Sequence, residues 1–186
     1  MPQPLRDEEL SELIAPDIAD RATLVAHERE GLLKARRWAL GHRRKVERIL
    51  TEPFLRELHR RMFGSTWRWA GEYRTDPIPL GVPPEGLLEA ISVVLKDTTH
   101  DLQEEYYTNR PLAARFHHRL LLLRPFAGGN GRWSRLATDA LLLALREPMP
   151  TWGMIDHPRS TRTAYLDALK QADRGEFEPL FRFMWS

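Results

Sequence analysis

Glycines and arginines are concentrated in one short stretch of the sequence, from Arg124 to Arg135. It reads Arg-Pro-Phe-Ala-Gly-Gly-Asn-Gly-Arg-Trp-Ser-Arg and lies between two apolar helical patterns, Leu112–Leu123 and Arg132–Leu145. The glycines permit backbone angles that are closed to other residues, and the second pattern predicts a helix whose first N–H groups are free. Helix N-termini of this kind bind anions, phosphate above all. Because Arg132 and Arg135 add guanidinium donors, the stretch predicts a phosphate-binding loop.

The same stretch resembles the signature of the Fic family, His-Pro-Phe-x-(Asp/Glu)-Gly-Asn-Gly-Arg-x-x-Arg. In that family the histidine deprotonates a hydroxyl group of a target protein, which attacks the α-phosphate of ATP and leaves AMP on the target. The resemblance implies an all-α Fic-fold helical bundle and a protein adenylyltransferase. The nucleotide-binding residues that it implies here are Phe126, Gly129, Asn130, Gly131, Arg132 and Arg135.

Two positions depart from the family signature. Arg124 stands at the position of the catalytic histidine, and a guanidinium group stays protonated and cannot act as a general base. Gly128 stands at the position of the metal-binding carboxylate and offers no side-chain oxygen, so the sequence gives no support for Mg²⁺. We therefore expect ATP or another nucleotide to bind, with impaired or altered AMP transfer. The alternative is an inactive Fic-like module that binds a ligand or another protein.

A second segment of the sequence also resembles Fic proteins, in particular the subgroup called mobile mystery protein B. Trp67–Arg74 contains Trp-Ala-Gly-Glu-Tyr-Arg, and a flap at residues 74–84 follows it. Four prolines exclude a helix from the flap, so we expect a short β-hairpin there. The resemblance implies that an extended segment of the target protein docks on this flap by strand addition.

The resemblance also suggests a regulatory residue near the N-terminus. Many Fic proteins carry an inhibitory helix with the motif Ser/Thr-x-x-x-Glu-(Gly/Asn), whose glutamate pairs with the last arginine of the signature. Here Ala26–Gly31 supplies Glu30 and Gly31 but lacks the hydroxyl group. Glu30 either pairs with Arg135 and blocks the nucleotide site, or is an exposed glutamate on a charged helix.

Helical periodicity and capping residues predict the elements that position the loop. We expect residues 1–20 to form a polar segment, and the resemblance implies that residues 21–186 form a single Fic-like domain. The first predicted helix is long, from Arg21 to about Leu50, with Asp20 as its cap, and the second is Glu52–Phe63, with Thr51 as its cap and Gly64 at its end. Further helices are predicted at Glu85–Gln103, on both sides of the loop, at Arg159–Ala172 and, as a short last helix, near the C-terminus.

Three polar residues on these helices have alternative interpretations. Asp139 lies four residues after Arg135, a spacing at which the two side chains can pair, either to hold Arg135 in place or to satisfy a buried acid. Adjacent His117 and His118 point about 100° apart on a helix, so they do not form a ready metal pair. We expect one of them in the core and the other on the surface.

The composition is that of an ordinary folded domain, with 42% hydrophobic and 29% charged residues. No cysteine is present, which is consistent with a reducing, cytoplasmic location, and no apolar run approaches the length of a membrane span. The stretch Lys34–Arg48 is strongly basic. It is either a nucleic-acid face or a solvated face balanced by acids upstream, within residues 7–20. The second interpretation is favoured because no known DNA-binding motif accompanies the charge, so a nucleic-acid partner is not expected.

Overall fold

The structure is a computed structural model that describes residues 5–15, 17–79, 81–153 and 158–186, with side chains from residue 161 in the last range. The described part of the chain is helical and contains no β-strand. Its helices are α1 (Asp7–Glu12), α2 (Arg21–Leu40), α3 (Val46–Ile49), α4 (Glu52–Phe63), α5 (Leu87–Gln103), α6 (Asn109–Leu123), α7 (Asn130–Ala144), α8 (Pro158–Ala172) and α9 (Glu178–Met184), with a 3₁₀ turn at Pro84–Gly86 before α5.

Capping residues explain where α2 and α4 begin. The Asp20 carboxylate accepts a hydrogen bond from the Thr23 backbone N–H at 2.9 Å, and the Thr51 hydroxyl accepts one from Phe54 N–H at 3.4 Å. Such bonds satisfy N–H groups that have no partner within the helix. Gly64 follows α4, as the sequence predicts.

The prediction of one long helix to about Leu50 is wrong, because α2 ends at Leu40 and the chain turns before α3. Lys45 is extended, with φ −70° and ψ 149°. In the turn, the Arg44 guanidinium folds back and donates to the Ala39 carbonyl at 2.8 Å, while lying 4.6 Å from the Trp38 ring centroid. These contacts satisfy the end of α2 in place of a further helical turn.

One large apolar core is built from α2, α4, α5, α6 and α7. The central helix is α7, which is buried nearly all round, as its apolar sequence predicts. A smaller cluster from α8 and α9 packs on Ala114 of α6. Gly31 in α2 lies so close to α4 that a Cβ atom there would approach the Met62 carbonyl oxygen at 2.6 Å. The glycine therefore allows α2 and α4 to pack closely.

The prediction of a β-hairpin flap is wrong for the described residues 74–79 and 81–84, which contain no strand. An isolated antiparallel bridge joins Tyr73 to Phe126. Beyond it, the buried Arg74 side chain organises the flap by donating to the carbonyls of Arg124 and Asp76, each at 2.8 Å, and of Val82 at 2.5 Å. The prolines lack the N–H groups that a ladder needs, and the guanidinium group takes carbonyls that a paired strand would use.

Candidate nucleotide site

The glycine-rich loop joins the ends of α6 and α7. Helix α6 ends at Leu123, as expected because proline disfavours a helical residue before it. Arg124 adopts a left-handed conformation with φ 41°. The Arg124 side chain is exposed. Helix α7 begins at Asn130, so the N–H groups of its first turn point out of the helix end. The loop therefore runs directly into a helix N-terminus, as the sequence predicts.

Two residues shape the loop from within. The Asn130 side chain accepts a hydrogen bond from Phe126 N–H at 3.1 Å and donates to the Phe126 carbonyl at 2.8 Å. Gly129 has φ 72°, and a Cβ atom there would lie 2.4 Å from the Phe63 ring. Both the backbone angle and the close approach require glycine. Asn130 therefore braces the loop rather than only facing a ligand.

An aromatic cluster under the loop attaches it to the core. The Phe126 ring stacks on His59 with centroids 3.6 Å apart and meets the Trp133 ring edge-on at 5.0 Å. His59 donates from Nε2 to the Gly128 carbonyl at 3.1 Å, and its Nδ1 accepts from Gly71 N–H at 2.9 Å. Sequence reasoning missed His59, and no local signal marks it because its partners are far away in the chain.

The His59 imidazole is neutral because of this environment. Burial lowers its pKa to about 3, although the bond to the Gly128 carbonyl opposes the shift. A proton added to Nδ1 would face the Gly71 N–H group, which is itself a donor. His59 therefore acts as a structural link between the loop and the segment after α4, and not as a base.

The two signature arginines have different environments. Arg132 donates to Glu28 of α2 at 2.6 Å, and its guanidinium carbon lies 4.7 Å from the Phe63 ring centroid. Arg135 donates from Nε to the Gly131 carbonyl at 3.2 Å and lies 5.7 Å from the Tyr165 ring. Both guanidinium groups are thus held at the start of α7, close to its first N–H groups.

The acid that reaches the signature from α2 is Glu28 and not Glu30. The Glu28 carboxylate is 15% exposed and binds both Arg132 and the Trp67 indole N–H, the latter at 2.8 Å. Glu30 is 64% exposed and pairs with Lys34 at 2.6 Å, which lowers the pKa of its carboxyl group. Of the two alternatives for Glu30, the structure agrees with the exposed glutamate on a charged helix, which here pairs with Lys34.

The pair that the spacing of Arg135 and Asp139 allows is replaced by other contacts. Asp139 accepts from the Trp152 indole at 2.9 Å and from Arg36 at 3.2 Å. Burial raises the pKa of Asp139 and these hydrogen bonds oppose the rise. Asp139 therefore ties α7 to α2 and to the segment before α8.

The prediction of one surface histidine at positions 117 and 118 is wrong, since both are buried. His117 bonds the Tyr165 hydroxyl at 2.8 Å, and His118 bonds Asp173 at 2.8 Å. Burial lowers the pKa of His117 to about 3. His117 thus supports Tyr165, the residue beneath Arg135.

The surroundings of Gly128 do not fit a metal ion held by a carboxylate. A Cβ atom at Gly128 would lie 3.0 Å from the Trp69 ring, which in turn stacks on Trp67 at 5.2 Å. The indole fills the space next to the loop where a longer side chain would project. In the described part of the chain, no three acidic or histidine side chains are grouped to hold a metal.

A cavity of about 540 Å³ lies beside Arg124, between the flap and α8. Leu121, Leu166 and Leu169 supply apolar walls, while Arg124 and Lys170 supply cations. A mostly apolar cavity with a few polar groups is typical of small-molecule sites, and 540 Å³ is within the usual range for one.

Known proteins resemble this chain in sequence and in fold. Residues 49–142 match the Fic/DOC family, and the chain belongs to that family. The protein adenylyltransferase Fic of Drosophila virilis is 32% identical over 134 residues, which is 69% of this chain and 26% of the relative. The chain thus spans about a quarter of the length of such curated relatives.

Solved structures share the fold. A fragment of Fic-1 from Caenorhabditis elegans superposes with a TM-score of 0.69 at 24% identity, covering 92% of this chain and 50% of that one. BepC of Bartonella tribocorum, solved with bound AMPPNP, gives a TM-score of 0.67 at 18% identity, covering 90% and 87%. No helix in the described ranges has the length and apolar character needed to cross a membrane.

Proposed function

We propose that this chain binds ATP or a related nucleotide at the loop between α6 and α7, without transferring AMP by the usual Fic mechanism. The observation that carries the proposal is the pairing of an intact phosphate cradle with Arg124 and Gly128 at the two chemical positions. The named activity of the Drosophila relative supports the nucleotide, and the AMPPNP in BepC does so as well.

The phosphate groups bind at the start of α7. Its first N–H groups, from Asn130 to Arg132, supply neutral donors and the positive end of the helix dipole. Arg135 adds a charged fork from the same turn, and the brace between Asn130 and Phe126 keeps the donors in place. Binding of a phosphate chain to such preorganised donors requires little rearrangement.

The nucleoside occupies the cavity beside Arg124. Leu166 and Leu169 provide apolar walls for the faces of a base, and Asp173 at the rim provides acceptors for its exocyclic amino group. Arg124 lines this cavity and is also the first residue of the loop, so its cation is available to the phosphate chain. Here Arg124 increases nucleotide affinity rather than removing a proton.

Two deficits prevent AMP transfer by the usual route. A guanidinium group cannot accept the hydroxyl proton, and general-base catalysis contributes roughly 10²–10⁴-fold. Gly128 supplies no metal ligand, and Trp69 fills the space beside it. We also propose that a target protein docks along residues 74–84, where Arg74 holds the segment against the loop.

Transfer of labelled AMP from ATP tests the catalytic half of the proposal. We expect no transfer by the unaltered chain and little by Arg124→His. Arg124→His/Gly128→Asp should transfer measurably to the protein itself or to a partner, and adding Trp69→Leu should increase that transfer because it makes room for the new carboxylate. Robust transfer by the unaltered chain that disappears in Arg124→Ala would refute the proposal and make Arg124 a catalytic residue.

Calorimetry with a non-hydrolysable ATP analogue tests the binding half. Arg135→Ala should weaken binding by about 1.5–3 kcal/mol, the contribution of a charged hydrogen bond. Arg182→Ala removes an exposed arginine that pairs with Glu178 on α9 and serves as the matched control. Equal affinities for the two variants would contradict nucleotide binding at this loop.

A further inference from the structure

We infer that the last turn of α2, the turn that follows it and α3 form a nucleic-acid-binding surface that contacts the phosphate backbone without reading sequence. Its cations are Arg37, Arg43, Arg44, Lys45 and Arg48, here called the basic corner, and within residues 37–48 a single acid, Glu47, accompanies them. Five cations against one acid give a local charge of +4.

The acids expected to balance these cations are at the other end of α2. Glu9 binds Arg21 at 2.8 Å, Asp20 caps the first turn of α2, and Asp17 lies 3.5 Å from His27. Helix α2 has 20 residues and is therefore about 30 Å long, several times the screening length of roughly 8 Å at physiological salt. The upstream acids consequently leave the basic corner unneutralised.

The cations of the basic corner are also available. Arg37, Arg43, Lys45 and Arg48 are exposed, and within the described residues no carboxylate forms a salt bridge with any of these four. By contrast, the basic residues just outside the corner are already paired, Lys34 with Glu30 and Arg36 with Asp139. Free guanidinium groups are the side chains best suited to bidentate phosphate contacts.

Aromatic side chains lie among these cations. Trp38 stacks on Phe54 with centroids 5.3 Å apart, and the guanidinium groups of Arg44 and Arg61 each lie 4.6 Å from its ring. Trp38 belongs to α2, whereas Phe54 and Arg61 belong to α4, so the packing of the two helices brings the cluster together. A groove of about 750 Å³ lies beside these rings, and Arg44, Arg48, Arg56 and Arg60 line it together with the acids Glu52 and Glu57.

The surface fits nucleic acid better than a protein or a lipid. Protein interfaces depend on a buried aromatic or apolar centre, whereas Trp38 here is half-buried and already stacked on Phe54. Insertion into lipid requires exposed apolar side chains, and no described residue from 34 to 61 is a large exposed hydrophobe. A phosphate backbone needs only a row of accessible cations.

Fluorescence anisotropy with a labelled 20-base-pair duplex of arbitrary sequence tests the inference. We expect a Kd of about 10⁻⁶–10⁻⁴ M near 0.1 M salt, and the Kd should increase as the salt concentration rises. Arg43→Ala/Lys45→Ala/Arg48→Ala should reduce the steepness of the log Kd against log salt plot by about 3, since each phosphate contact contributes about 0.9. These side chains are exposed, so the variant should keep its melting temperature.

The matched control removes three exposed arginines elsewhere, Arg162→Ala/Arg174→Ala/Arg182→Ala, and should retain the slope of the unaltered chain. Arg135→Ala should bind the duplex normally, because the nucleotide loop is a different surface. Equal losses in the two triple variants, loss in Arg135→Ala, or equally tight binding of polyglutamate would each overturn the inference. So would the absence of duplex binding at 50 mM salt.

Discussion

Removal of the Glu28 charge should strengthen nucleotide binding while weakening the fold. The Glu28 carboxylate occupies Arg132 at 2.6 Å, so a phosphate group must compete with it for that guanidinium. A charged hydrogen bond contributes about 1.5–3 kcal/mol, but the Arg132 side chain is 37% exposed and solvent screening reduces this to about 1–2 kcal/mol. Glu28→Gln should therefore lower the nucleotide Kd by roughly 5- to 30-fold.

Glutamine is the informative replacement because its side-chain oxygen still accepts from the Trp67 indole, whereas alanine would leave that N–H group without a partner. The same substitution should reduce the free energy of unfolding by about 1 kcal/mol, since Arg132 loses its ion pair in the unliganded protein. Calorimetry with an ATP analogue and urea denaturation measure the two effects. A gain in nucleotide affinity together with a loss in the free energy of unfolding would show that Glu28 competes with the phosphate group for Arg132. A loss in both would show that the substitution only destabilises the fold.

Glu30→Gln is the matched control, since Glu30 lies on the same helix but pairs with exposed Lys34. It should leave nucleotide affinity unchanged. A gain in affinity for Glu30→Gln and none for Glu28→Gln would show that the reasoning from the Arg132 contact is mistaken. It would also favour a rearranged α2 in solution, with Glu30 facing the loop.

Two further predictions concern stability. Burial lowers the pKa values of His59 and His117 to about 3, so the unfolded chain takes up protons on these histidines at a higher pH than the folded chain does. The free energy of unfolding should therefore fall as the pH decreases from about 6.5 toward 3, by up to about 1.4 kcal/mol per pH unit for each of the two histidines. Urea denaturation at pH 7 and 5 measures this, and His59→Gln should show a smaller difference if the argument holds. Gly31→Ala should destabilise the fold by about 1–3 kcal/mol through overpacking against the Met62 carbonyl; thermal melts that match the unaltered chain would contradict the close packing of α2 on α4.

The sequence predicted those parts of the fold that depend on local signals. Asp20 and Thr51 act as caps within three residues of themselves, and the apolar sequence of α7 indicates a central helix without knowledge of its neighbours. The loop between α6 and α7 has the expected form because proline and glycine restrict or permit backbone angles independently of tertiary context.

The remaining features depend on contacts between distant residues. Helix α2 ends at Leu40 because Arg44 folds back on Trp38, which is held by Phe54 of α4. The flap lacks strands because one guanidinium group, that of Arg74, binds its carbonyls. Periodicity places Glu28 and Glu30 on the same helix, but only the packing of α2 decides which one faces Arg132.

The aromatic cluster beneath the loop separates the shape of the site from its chemistry. Phe126, His59 and Asn130 hold the loop, while the Arg124 side chain is exposed and Gly128 contributes its carbonyl oxygen, a group that every residue carries. Substitution of Arg124 therefore leaves the supports of the loop untouched. A lineage of such proteins can therefore change the charge and acid–base character of the site at this exposed position without rebuilding the domain around it.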